Sequence, residues 1–169
     1  VKPALFALAL ILSAPATHAQ SLIYSEMATL ACLNNAAASR PSAKIDCVGA
    51  SANACMAATP DGSTTYGMGG CLDRELSFWD AMLNHNYQIL RDKARATDAE
   101  MRRIGASVTD LEQTLRDMQR TWIAWRDATC DFERGQWGGG TGGGPATYAC
   151  LLRLTGQQAL YLDDAWIGD

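Results

Sequence analysis

The sequence predicts an all-α fold: a compact, disulfide-stapled bundle of four to six helices with a glycine-rich loop before the last one. Three observations carry this. Apolar residues recur at three- and four-residue steps, the period of a helix with one buried face. No stretch sustains the two-residue alternation of a half-buried strand, and no Asn-Gly pair marks a hairpin. Six cysteines, an even number, follow a leader-like N-terminus, as in exported disulfide scaffolds.

Residues 4–12, ALFALALIL, form an unbroken apolar run behind Lys2 and ahead of Pro15 and Ala16-Thr17-His18-Ala19. A positive start, a short apolar stretch and a small residue at its exit describe a secretory signal peptide. The run falls short of the roughly 20 residues that a membrane-spanning helix needs. The expected division is a leader over 1–19, cleaved after Ala19, and one helical domain over 20–169. Cleavage removes Lys2 and moves the formal net charge from −4 to −5. No cysteine follows the cleavage point and no later segment is apolar enough to cross a bilayer. The product is therefore expected in the periplasm or outside the cell, without a membrane anchor. An acidic balance excludes a surface-wide basic field for nucleic acid.

The elements follow in order. Residues 21–38 read as a first helix with Ile23, Met27, Leu30 and Ala31 on its inner side, ended by Pro41. Ser42 can cap a second, alanine-rich helix over 42–57. Pro60-Asp61-Gly62-Ser63 is a turn, with Pro setting φ and Gly taking the left-handed region. A third helix begins at 65–68 and runs to about Ala96, with Leu72, Leu76, Trp79, Leu83, Asn86, Tyr87 and Leu90 inward. Thr97-x-x-Glu100 and Thr109-x-x-Glu112 both match the capping box, with a break near Gly105. The fourth helix then presents Leu111, Leu115, Met118, Trp122, Trp125 and Thr129 as a heptad-like seam. Residues 135–145, GQWGGGTGGGP, are too glycine-rich for regular structure, and Pro145 suits the first turn of a last helix over about 146–166. That helix is expected to bury Leu151, Thr155, Ala159 and Leu162.

The chemical inventory is thin. Sequence alone leaves the disulfide pairing open, but the neighbouring pairs Cys32–Cys47, Cys55–Cys71 and Cys130–Cys150 suggest themselves. They would clip two helices, close the Pro60 turn and close the glycine loop. With the thiols paired and His85 the lone histidine after cleavage, no catalytic residue and no metal or cofactor site is expected. The carboxylates Glu75, Asp80, Asp127 and Glu133 read as solvated or salt-bridged. Arg126 is expected to face Glu75 or Asp80 in a polar clamp. Arg91, Lys93, Arg95, Arg102 and Arg103, interleaved with acids, read as a solvated surface. The glycine run lacks the preceding strand and terminal Lys of a phosphate loop. A recognition loop carrying Trp137 and Thr141 is the better functional reading.

From residue 68 onward the chain reads Met68-x2-Cys71-x3-Glu75-x4-Asp80-x2-Leu83-Asn84-x2-Tyr87, then Leu115-x3-Gln119-x2-Trp122-x3-Arg126-Asp127-x2-Cys130, then Cys150-Leu151-x3-Thr155. This order resembles the LprI family of lysozyme inhibitors, in its N-terminal domain, over about 68–162. The resemblance implies a small, exported, disulfide-bonded helical protein whose family is named for lysozyme inhibition. It departs from the family at two places: no lipid-attachment cysteine follows the leader, and Gln157-Gln158 stand where an Arg is expected. The motif residues Glu75, Asp80, Asn84, Tyr87, Gln119, Trp122, Arg126 and Asp127 read as fold-marking. Two functions stand side by side. One is a non-catalytic protein that occludes the cleft of a lysozyme or related wall hydrolase. The other is a binding or assembly module for an envelope protein.

Overall fold

The computed structural model describes residues 21–166, so the expected leader over 1–19 lies outside the described residues. Five α-helices and one 3-10 segment make up the regular structure of the described residues, with no strand. They are α1 (Met27–Ser39), a 3-10 segment (Pro41–Cys47), α2 (Ala50–Ala58), α3 (Thr65–Arg103), α4 (Leu111–Gly135) and α5 (Gly143–Asp164). Cys32–Cys47 ties α1 to the 3-10 segment, Cys55–Cys71 ties α2 to α3, and Cys130–Cys150 ties α4 to α5.

The axis is α3, 39 residues and so about 58 Å long at 1.5 Å per residue. Trp79, Leu83 and Leu90 of α3 pack with Leu152, Ala159 and Leu162 of α5 to form the core, closed by Ala52 of α2. Leu115, Met118 and Trp122 of α4 lean on it from one side, Leu33 and Val48 from another. Val48 reaches α5 because Gly156 stands there: a Cβ at that position would meet Val48 Cγ2 at 2.6 Å. The α3 stripe expected from the sequence is the one used, with Trp79, Leu83, Asn86 and Leu90 buried.

Several expected elements are corrected. The first helix starts at Met27, and its expected inner residues Ile23 and Met27 are exposed. Thr29, Leu33 and Ala36 face inward instead, because Thr29 has a buried hydrogen-bonding partner that an apolar pattern does not reveal. The second helix breaks in two at Gly49, whose φ of +100° no continuous helix accepts. In the Pro60 turn it is Asp61, at φ +59°, that takes the left-handed region. Gly62 is required because a Cβ there would collide with the Met56 carbonyl oxygen. The last helix begins at Gly143, three residues earlier than expected, with Pro145 the third residue of its first turn.

The seam expected on α4 also peels apart. Trp125 is 53% exposed and Leu111 is exposed, whereas Gln119 and Cys130 are the buried positions. A seven-residue repeat drifts about 20° per heptad around a straight helix. Over the 25 residues of α4 the ends of that seam therefore rotate away from α3. The face actually used runs Leu115, Met118, Gln119, Trp122, Arg126, Cys130.

At the α3–α4 corner two aspartates do the capping that the two boxes were expected to do. Thr97 lies inside α3, which continues to Arg103. Its neighbour Asp98, buried, accepts Leu111 N–H at 2.9 Å and Glu112 N–H at 3.0 Å, while Asp110 accepts Gln113 N–H at 2.8 Å. Three free N–H groups at the start of α4 are thus satisfied. The Glu112 and Leu111 N–H bonds hold the Asp98 carboxyl below the usual carboxylate range. Asp98→Ala is expected to cost about 1–2 kcal/mol at pH 7. A depressed pKa contributes stability above the unfolded value, roughly 4, and loses it as pH falls through the folded value. The difference between wild type and variant in urea unfolding should therefore be full at pH 7 and shrink below about pH 4. A difference that stays constant to pH 2 would rule out the charged cap.

Candidate functional site

The eight motif residues do not form one buried set. Glu75 alone is fully buried, at the junction of α1, α2 and α3. Its Oε1 accepts the Thr29 hydroxyl at 2.8 Å, Gly49 N–H at 2.9 Å and Trp79 Nε1–H at 3.0 Å, and its Oε2 accepts Ala52 N–H at 2.6 Å. With four donors in place and no solvent exposure, Glu75 is a structural hub. The expected pairing of Arg126 with Glu75 or Asp80 does not occur. Arg126 instead gives Nε–H and Nη2–H to Asp127 Oδ1, at 2.9 and 2.8 Å.

Asp80, Asn84, Tyr87, Gln119, Trp122 and Arg126 converge on an open groove of about 440 Å³ between α3 and α4. Helical spacing explains the convergence. Asp80, Asn84 and Tyr87 fall on one face of α3 at steps of four and three; Gln119, Trp122 and Arg126 do the same on α4. Leu83 and Ile123 supply apolar wall, and Arg91, Arg116 and Arg120 complete the lining.

Two aromatic–arginine pairs at i, i+4 line this groove, one on each helix. Arg91 lies over the Tyr87 ring with 5.6 Å to its centroid, and Arg126 over Trp122 at 5.0 Å. Each guanidinium is also held by a carboxylate, Arg91 giving Nε–H and Nη2–H to Glu112 Oε1 at 3.0 and 2.7 Å. The Arg91 guanidinium in turn holds the Glu112 carboxyl below its ordinary range. Asn84 donates to Asp80 Oδ2 at 3.0 Å. The arginines 91, 116 and 120 were not legible as site residues, since nothing local places α4 beside this stretch of α3. The repeated aromatic-x3-Arg spacing was the available signal.

Trp137 and Thr141 sit elsewhere, on the loop between α4 and α5. The loop is a run of tight turns: Trp137 N–H to the Arg134 carbonyl, Gly138 to Gly135, Gly140 to Trp137 and Gly143 to Gly140, at 2.9–3.2 Å. Trp137 is 55% exposed, its ring lying over Gly142 where a Cβ would collide with it. Cys130–Cys150 closes the base, with Arg153 donating to Glu133 at 2.6 Å beside it. Phe132 and Trp125, seven residues apart and so on one face of α4, are exposed below the loop. Sequence reasoning missed Phe132 and placed Trp125 inside.

Among the described residues no three His, Cys, Asp or Glu side chains gather to hold a metal ion, and no helix is long and apolar enough to cross a membrane.

The family model described as lysozyme inhibitor LprI matches residues 55–162. That span takes in the groove, the glycine loop and two of the disulfides. An uncharacterized protein of Rhizobium meliloti (strain 1021) is 30% identical over 94 residues, covering 56% of this chain and 68% of that protein. An uncharacterized 17.7 kDa protein in the puhA 5′ region of Rhodobacter capsulatus is 27% identical over 131 residues, covering 77% of this chain and 80% of that protein. No solved structure matches the chain.

Proposed function

This chain belongs to the lysozyme inhibitor LprI family, and from that membership we propose an exported, non-catalytic inhibitor that occludes the cleft of a lysozyme or related cell-wall hydrolase. The family match over 55–162 carries this reading. Three disulfides support a working compartment outside the reducing cytoplasm.

The loop over 135–142 is the plug. It is exposed, stapled at its base and internally hydrogen bonded, so little ordering remains to be done on binding. Trp137 is the anchor side chain, a residue type enriched among energetic centres of interfaces. Phe132 and Trp125 extend its apolar footprint along α4. Occlusion of this kind needs no catalytic group. The chain's net charge of −4 would speed encounter with a basic hydrolase and lose that gain in salt.

The test is the clearing of wall fragments by lysozymes of several classes, at low and at physiological salt. Inhibition by micromolar protein or less in at least one class is expected, weaker at the higher salt. Trp137→Ala should raise the inhibition constant by about 30-fold, a hot-spot-sized loss, while leaving thermal unfolding unchanged. No inhibition in any class at micromolar protein overturns the proposal. A stable envelope partner without hydrolase activity, recovered from oxidised periplasm, would then favour an assembly role.

A further inference from the structure

We propose that the α3–α4 groove is a second binding site, distinct from the loop, for a small ligand bearing a carboxylate or phosphate group. The donors in its walls point to an anion: four guanidiniums, Arg91, Arg116, Arg120 and Arg126, line it together with one carboxylate, Asp80. Each guanidinium has an acidic neighbour, Glu112 for Arg91 and Arg116, Asp117 for Arg120 and Asp127 for Arg126, so unused donors and not net charge would meet the anion. Two of the four are fixed in place yet still able to donate. Arg91 and Arg126 each use Nε and Nη2 on their own carboxylate and rest on an aromatic ring, leaving Nη1 with no partner among the described residues. Arg116 and Arg120 are held only loosely, Arg116 at 3.8 Å from Glu112 and Arg120 at 3.5 Å from Asp117. Planar guanidinium forks match the two-oxygen edge of carboxylate and phosphate.

A second observation is independent of charge. Gln119 is 6% exposed and lines the groove, yet only its oxygen is engaged, accepting Gln158 Nε2–H at 3.0 Å. Its own Nε2 donates to no described residue. That amide nitrogen belongs to a residue lining the groove, so a ligand oxygen there would take the place of water as its acceptor. The groove's volume of about 440 Å³ also lies within the range of small-molecule sites. Tyr87 and Trp122 line the same groove and would contact whatever body carries the anionic group. This reading does not depend on lysozyme inhibition, because the loop and the groove share no residue.

Titration of the full mature protein with inorganic phosphate in one arm and succinate in the other tests it, followed by NMR of the arginine Nε–H and tryptophan indole signals. Sodium chloride at matched ionic strength is the control. Saturable shifts of the Arg116, Arg120, Arg126 and Trp122 signals are expected for at least one anion. The arm that saturates first separates a phosphate ligand from a carboxylate one. Arg116→Gln/Arg120→Gln should weaken binding at least tenfold, while Arg103→Gln, at the far end of α3, leaves it unchanged. Both arginines of the double variant are partly exposed and outside the core, so the fold should persist. Shifts no greater than with chloride, or equal binding by the double variant, would overturn the proposal, whatever the outcome of the lysozyme assay.

Discussion

Glu75→Ala should destabilise the protein by about 4 kcal/mol or more, the largest effect expected of any single substitution away from the cysteines. The carboxylate is fully buried and accepts from four donors that come from three separate elements and the Gly49 hinge. Removing it leaves Thr29, Gly49, Ala52 and Trp79 with buried donors and no acceptor, each costing roughly 1–3 kcal/mol before relaxation. Glu75→Gln keeps the shape but turns one acceptor oxygen into a donor. Facing Ala52 N–H with that nitrogen is the least costly orientation, because Oε1 serves the other three donors. An intermediate loss of about 2–3 kcal/mol follows, one bond removed and two donors opposed. Urea unfolding at pH 7 gives both numbers. A loss under 1 kcal/mol for the alanine variant would show that the hub is not where this end of the molecule is held.

The charge on Glu75 can be read separately. The Tyr24 hydroxyl is buried without a partner among the described residues, and its pKa is pushed up to about 12, first by burial and second by the negative charge of Glu75. Neutralising Glu75 as Gln should lower the Tyr24 ionisation while leaving it above the ordinary value of roughly 10, since burial is the larger cause. Tyrosinate absorbance during an alkaline titration reports this. Tyr24 also sets a sign at high pH. A raised pKa means stability that is intact below about pH 10 and falls as pH climbs towards 12.

The sequence exposed those parts of this architecture that are written in local period. Trp79, Leu83, Asn86 and Leu90 of α3 and Thr155, Ala159 and Leu162 of α5 are inward as their spacing requires. Where polar groups point inward, period misleads. The hydroxyl of Thr29 serves Glu75, Asp98 caps a helix from another helix, and Gln119 meets Gln158, so each occupies a position an apolar template rejects. Long helices mislead in a second way, because small errors in period accumulate until Trp125 faces water. The groove shows the limit most clearly. The motif Asp80, Asn84, Tyr87 and the motif Gln119, Trp122, Arg126 were each visible. That they face one another with Arg91, Arg116 and Arg120 between them depends on how α4 docks on α3, which no local pattern encodes.

Replacing both cysteines of the Cys130–Cys150 bridge by alanine is expected to cost about 3 kcal/mol, the entropy released to the unfolded chain by opening a loop of this length. For a domain of this size that lowers the melting temperature by roughly 6–12 °C. The bundle should nonetheless remain folded near 25 °C, because α5 is held chiefly by the α3 core and the loop base keeps its Arg153–Glu133 pair. What changes is the loop. Without the covalent base the turns over 135–142 must be fixed at each binding event, and that ordering opposes association. The double variant should therefore remain helical and lose inhibition by tenfold or more at temperatures where it is fully folded. Equal inhibition by wild type and variant, with only the melting temperature lowered, would remove the loop from the inhibitory surface. The exposed length of α4 around Trp125 and Phe132 would then be the next surface to mutate.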